Sequence, residues 1–134
     1  MIIWIFGKPK AGKTTTALRI CHKYREMEPI LLDGDELREA LGYSGFGKDD
    51  VREWLFRIAN LCMLFESQGY MPVASFVSPF ADIRKSIRDK FEEADVEYKF
   101  VYVNGSDKHM WKGSTFEEPD SDEECDIIEG NFKW

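Results

Sequence analysis

The stretch Gly7 to Thr14, GKPKAGKT, constrains this chain more than any other part of it. It fits G-x-x-x-x-G-K-[ST] at every fixed position and lies between an apolar run and a helix-like segment. Glycines allow the tight turn, and the turn points successive backbone N–H groups at phosphate oxygens. The motif, a Walker A loop, therefore predicts a strand, loop, helix unit that holds a triphosphate such as ATP. Its binding residues would be Gly7, Lys8, Pro9, Lys10, Ala11, Gly12, Lys13, Thr14 and Thr15. Lys13 is placed to reach the β/γ-phosphates and the Thr14 hydroxyl to bind Mg2+. The competing reading, a Gly/Lys-rich surface turn, lacks the flanking pattern that this chain has.

That pattern repeats downstream. Ile2 to Phe6 is a continuous apolar run, as in a strand buried on both faces, and a helix over Lys13 to Glu26 follows the loop. Pro29 precedes a second buried strand, Ile30 to Leu32, which ends at Asp33, Gly34 and Asp35. A short helix over Glu36 to Leu41 and the glycine-rich GYSGFG come next. From Asp50, the residues Val51, Trp54, Leu55, Ile58, Leu61, Cys62 and Phe65 recur at helical spacing as far as Gly69, with Asp50 and Glu53 as a capping pair. Met71 to Phe76 is a third strand. Ser78 and Pro79 read as the N-cap and first turn of a helix with Phe80, Ile83, Ile87 and Phe91 on its apolar face. Glu97 to Val103 is a fourth strand, and Cys125 to Ile128 adds a short edge strand. Such alternation predicts an α/β fold, a three-layer α/β/α P-loop NTPase domain with a mostly parallel sheet of four to five strands. All 134 residues form one P-loop domain on this reading, with residues 114–134 as an acidic C-terminal segment.

The charge supports that division. The net charge is −7, yet residues 1–113 carry 17 basic and 17 acidic side chains, whereas residues 114–134 carry 8 acidic and 1 basic. A neutral body without a basic stripe argues against bulk nucleic-acid binding but leaves room for a small nucleotide substrate. The run Glu117 to Glu124 reads as a solvated or partly disordered loop. Cys21, Cys62 and Cys125 have no metal-ligand spacing and read as reduced thiols. MIIWIF is too short for a signal peptide or membrane span, so the expected setting is cytoplasmic, with no membrane.

A phosphate loop needs a second acidic group for magnesium and a residue to orient or deprotonate the nucleophile. Asp33 and Asp35 sit at a strand's C-terminal end, where open α/β sheets place their ligands, and suit both roles. Asp35 alternatively caps the following helix. Arg38, one turn later, is a candidate for an anionic substrate or an ordinary surface residue. Phe46 is a candidate to stack on a base, or simply packs. Arg52, Arg57, Arg84 and Arg88 all read first as solvent-facing.

Taken in order, GKPKAGKTT, LLDGDELREALG, GF, FRIANLCMLF, GYMPVASFVSPFADIR and FVYV resemble the adenylylsulfate kinase family over residues 2–104. The resemblance implies a sulfate-assimilation enzyme that uses ATP and magnesium to phosphorylate the 3′-hydroxyl of adenosine 5′-phosphosulfate. It also implies catalytic roles for Lys13, Asp33 and Asp35, with Thr14 and Asp33 at the metal. Arg38 would meet the substrate's anionic group, Phe46 its adenine, and Phe76 and Ser78 of S-F-V-S-P-F the bound substrate.

Departures bear on the acceptor. The family's D-R-x-E-N-I-R-R is here DVREWLFR, so Val51 replaces an Arg and Trp54 an Asn, with Arg52 as a substitute contact. Ala81 replaces the Arg after S-P-[FY]. Of the family's lid, R-D-P-K-G-L-Y, Lys112 and Gly113 survive, and the chain stops soon after the fifth-strand position without the family's final helix. A short lid predicts weak catalysis, or help from another subunit in a homodimer. Two alternatives stand beside the main reading: a kinase with a different nucleoside, nucleotide or polynucleotide acceptor, and a nucleotide-binding regulatory protein with little catalysis.

Overall fold

The computed structural model describes residues 1–105 and 116–129. In chain order the elements are β1 (Ile2–Phe6), α1 (Lys13–Lys23), β2 (Pro29–Asp33), α2 (Gly34–Leu41), α3 (Lys48–Ser67), β3 (Met71–Ser75), α4 (Ala81–Glu93), β4 (Tyr98–Asn104) and β5 (Asp126–Glu129). They build one parallel sheet in the order β2-β3-β1-β4-β5. The expected α/β architecture is present, with the edge strand as its fifth member.

All five residues of β1 are buried because helices cover both faces of the sheet. Alternating Cβ directions divide them. Ile2, Trp4 and Phe6 join Trp54, Ile58 and Cys62 of α3 and Ile83, Ile87 and Phe91 of α4 in one core. Ile3 and Ile5 join Ala17 and Ile20 of α1 in the other. The first core is aromatic: the Trp4 ring stacks between Phe76 at 5.8 Å and Phe100 at 5.9 Å. Such pairs contribute ~0.5–1.5 kcal/mol each beyond area burial, and they fix β1 directly beneath the loop it feeds.

Four local expectations are corrected. First, α1 ends at Lys23, and Arg25–Met27 tighten into a 3-10 turn, because Glu28 takes up a left-handed conformation, φ 53°, that leads into β2. Second, α3 starts at Lys48 with Gly47 as N-cap and no side-chain cap, so Asp50 and Glu53 are not a capping pair. Asp49 and Asp50 instead lie in the first turn, at the positive end of the helix dipole. Third, α4 begins at Ala81, and Ser78 does not cap it. Ser78 is buried with φ 47°, and its Oγ accepts the Trp4 Nε1–H at 3.0 Å. The cap comes from far along the chain, where Glu117 Oε1 accepts the Ala81 N–H at 2.8 Å.

The fourth correction concerns Arg84 and Arg88, which are buried and not solvent-facing. Arg84 donates from Nε and Nη2 to both oxygens of Glu123, at 2.8 and 2.9 Å, and from Nη1 and Nη2 to the carbonyls of Ser78 and Glu117, each at 2.7 Å. Arg88 adds a bond from Nη2 to Glu123 at 2.9 Å and lies 4.0 Å over the Phe100 ring. The acidic run is therefore a clasp on α4 at Glu117 and Glu123, although Glu118, Asp120, Asp122 and Glu124 are exposed as expected. Among the described residues, no helix is long and apolar enough to cross a membrane.

Candidate active site

The loop after β1 lies over the carboxyl ends of the strands. Gly7 has φ 156°, and a Cβ there would lie 2.5 Å from the Val103 carbonyl oxygen, so glycine is required by both conformation and space. The loop is closed by Gly7 N–H donating to the Val77 carbonyl at 3.3 Å and Ala11 N–H to the Lys8 carbonyl at 3.2 Å. Helix α1 then begins with no side-chain cap and no acidic residue in its first turn. Its N-terminal N–H groups and dipole thus favour an anion.

Lys13 is largely buried, and its Nζ donates back to the Lys8 carbonyl at 2.8 Å. Burial lowers its pKa to about 8, against the opposing pull of the Asp35 and Asp33 carboxylates. Asp33 serves two neighbours. Its Oδ1 caps α2 by accepting the N–H groups of Asp35 at 3.1 Å and Glu36 at 3.4 Å, and its Oδ2 accepts the Thr14 hydroxyl at 3.1 Å. The helix cap is thus Asp33 and not Asp35, which is left exposed in the first turn. Thr14 and Asp33 form a pair of hard oxygen donors of the kind that suits magnesium. Among the described residues no cluster of three His, Cys, Asp or Glu side chains could hold a metal unaided.

These groups border a cavity of about 800 Å³. The loop and the start of α1 contribute Pro9, Lys10, Gly12, Lys13, Thr14 and Thr15, and the ends of β2 and β3 with the start of α2 contribute Asp33, Gly34, Asp35 and Ser75. Arg38, Phe46, Val51, Trp54, Leu55 and the segment Phe76 to Phe80 complete the lining. Gly7, Lys8 and Ala11 complete the loop outside that lining. Arg38 donates to the Gly45 carbonyl at 3.3 Å, and its guanidinium is 5.1 to 5.7 Å from the rings of Phe46, Trp54 and Tyr43. Phe46 is 83% exposed, so it is not core packing. Phe76 and Ser78 line the cavity, although the Ser78 hydroxyl is engaged by Trp4. Arg52 is not in the lining; it pairs with Asp82 at 3.3 Å. Lys112 and Gly113 lie outside the described residues.

Some contributors lie in the S-F-V-S-P-F motif without a role of their own, or were not singled out at all. Ser75, Val77 and Phe80 enter through β3's C-terminal end, where the strand-end rule points to a crevice but not to particular residues. Gly105 approaches the loop so closely that a Cβ would meet the Ala11 Cα at 2.5 Å and its carbonyl oxygen at 2.6 Å. Overpacking of this kind costs ~1–3 kcal/mol, so Gly105→Ala should weaken ATP binding roughly tenfold in a titration.

A parallel sheet with a glycine loop between its first strand and helix, a cationic lysine inside the loop, and an aspartate at the next strand end define a P-loop nucleotide-binding domain. A family model described as adenylylsulphate kinase matches residues 1–112. The chain belongs to that family. It is 34% identical over 105 residues to the adenylyl-sulfate kinase of Bacillus velezensis, covering 76% of this chain and 52% of that protein. With the enzyme of Clostridium kluyveri the identity is 36% over 107 residues, covering 78% of this chain and 52% of that protein. The chain thus spans about half the length of the curated relatives it matches. Among solved structures, the Mycobacterium tuberculosis APS kinase in complex with AMPPNP and APS aligns with a TM-score of 0.85 at 20% identity, covering 98% of this chain and 89% of that one. At that identity the likeness concerns the fold.

Proposed function

We propose that this chain is an ATP-dependent kinase that transfers the γ-phosphoryl of ATP to the 3′-hydroxyl of adenosine 5′-phosphosulfate. The observation that carries the reading is one cavity lined by the phosphate loop, by Asp33 and Asp35, and by Arg38 and Phe46. The loop N–H groups and α1 hold the triphosphate. Lys13 exchanges its Lys8 carbonyl for phosphate oxygens and offsets charge on the transferred group. Asp35, uncommitted to any cap, accepts the proton of the acceptor hydroxyl as its oxygen bonds to phosphorus and the bond to the β-phosphate oxygen breaks, leaving ADP. Magnesium, held through Thr14 and Asp33, would supply further charge neutralisation.

A second reading keeps the donor side and changes the acceptor. Val51 and Trp54 favour it, because they make the acceptor wall apolar and aromatic. The two are separated by measuring label transfer from γ-labelled ATP to adenosine 5′-phosphosulfate, AMP, adenosine and an oligonucleotide with a free 5′-hydroxyl. Adenosine 5′-phosphosulfate should have the highest kcat/KM. Faster transfer to another acceptor would establish the second reading, and bound ATP without transfer to any of them would exclude both.

A further inference from the structure

One of the residues that line the cavity carries a polar atom that the fold leaves unused. Trp54 is 2% exposed and lines the cavity, and its Nε1 is the buried side-chain nitrogen without a hydrogen-bond partner among the described residues. Trp4 is just as buried, yet its Nε1 is satisfied by Ser78. An unmade buried N–H carries a desolvation cost, and an indole can only donate. The ring itself is fixed by packing, with Tyr43 stacked on it at 4.7 Å and Phe76 edge-on at 6.4 Å. A phenylalanine would meet both of these contacts without the unpaired donor.

Against the same ring stands a second group that only donates. The Arg38 guanidinium lies 5.5 Å from the Trp54 ring centroid, and its hydrogen bond to the Gly45 carbonyl is long at 3.3 Å. Val51 shares this wall and offers no polar atom. Two neighbouring donors, one of them cationic, match an oxyanion.

We propose that Trp54 is a specificity-determining residue of the acceptor site, where its indole N–H and the Arg38 guanidinium converge on one oxyanion, sulfate or phosphate, of the acceptor nucleotide. The inference rests on the kinase reading above. The indole N–H is fully buried in the free protein, so the Arg38 guanidinium, which lies against the ring, must turn from the Gly45 carbonyl toward the anion as the acceptor binds.

The test compares wild type with Trp54→Phe, which keeps an aromatic ring and removes the donor. Calorimetry with adenosine 5′-phosphosulfate, AMP and adenosine is run without ATP, so that a failure of turnover, which would count against the kinase reading, is read separately. The variant should keep or raise the melting temperature of the free protein, leave the Kd for ATP unchanged, and lose about tenfold affinity for the nucleotides but not for adenosine. A loss confined to adenosine 5′-phosphosulfate would assign the donor to sulfate, and an equal loss with AMP would assign it to phosphate. A lower melting temperature with unchanged nucleotide affinity would make Trp54 purely structural and overturn the proposal, as would an equal loss with adenosine. If the variant does not fold, the indole N–H signals of the four tryptophans in the ¹⁵N-labelled wild type serve instead. The Trp54 signal should shift on adding either nucleotide and stay put with adenosine; no nucleotide-dependent shift would overturn the assignment.

Discussion

Lys13→Ala is expected to lower kcat/KM for ATP by roughly 10²–10³-fold, the scale found when a preorganised charge is removed from a developing anion. The loop holds the Lys13 ammonium at the Lys8 carbonyl, 2.8 Å away, within the field of Asp33 and Asp35. Alanine leaves those carboxylates facing the triphosphate with less to offset them. Because burial already disfavours the charged lysine, the variant should melt at or above the wild-type temperature, so lost activity would not be lost folding. Lys8→Ala supplies the contrast. Its exposed contact with Glu118, 3.4 Å long, is of the kind that contributes ~0–1 kcal/mol, so its activity should fall only a few-fold.

The other large effect is on stability. Arg84→Met leaves the largely buried Glu123 carboxylate with Arg88 as its remaining side-chain partner, and breaking a buried pair typically costs ~3–5 kcal/mol. A domain of this size loses roughly 3–5 °C of Tm per kcal/mol, so a calorimetric scan should show a drop of about 10–20 °C. Arg84→Met combined with Glu123→Leu should recover part of the loss, since replacing both partners removes the stranded charge. The pH dependence has a definite sign. Burial alone would raise the Glu123 pKa, but hydrogen bonds from Arg84 and Arg88 outweigh it and hold the carboxyl below its usual 4.5. A depressed folded-state pKa contributes stability above the unfolded value that is lost as pH falls through the folded one. The gap between wild type and Glu123→Gln should therefore be full at neutral pH and narrow below about pH 4.5.

What was readable in the sequence and what was not follows the reach of the interactions. The β1, loop, α1 unit was legible because its glycines, lysine and apolar run are local and each has one physical use. The Arg84 pair was not, because its Glu123 partner lies 39 residues away and nothing near Arg84 announces it. Ser78 was misplaced for a similar reason. A serine before proline fits a helix start, but the Trp4 indole, 74 residues off in sequence, claims its hydroxyl, and Glu117 supplies the cap. Val51 and Trp54 were visible as departures from the family pattern. Their meaning, an apolar wall holding one unpaired donor, needed the folded cavity.

The account stands most directly on where the γ-phosphoryl goes. Phosphorus NMR of the wild-type chain with ATP, magnesium and adenosine 5′-phosphosulfate follows it. Loss of the ATP γ-signal should be matched by ADP and a new phosphomonoester signal coupled to the ribose 3′ proton, and Lys13→Ala should show neither. Conversion of ATP to ADP and orthophosphate alone, or an unchanged spectrum under conditions where ATP binds, would contradict the assignment of this cavity to phosphoryl transfer between two nucleotides.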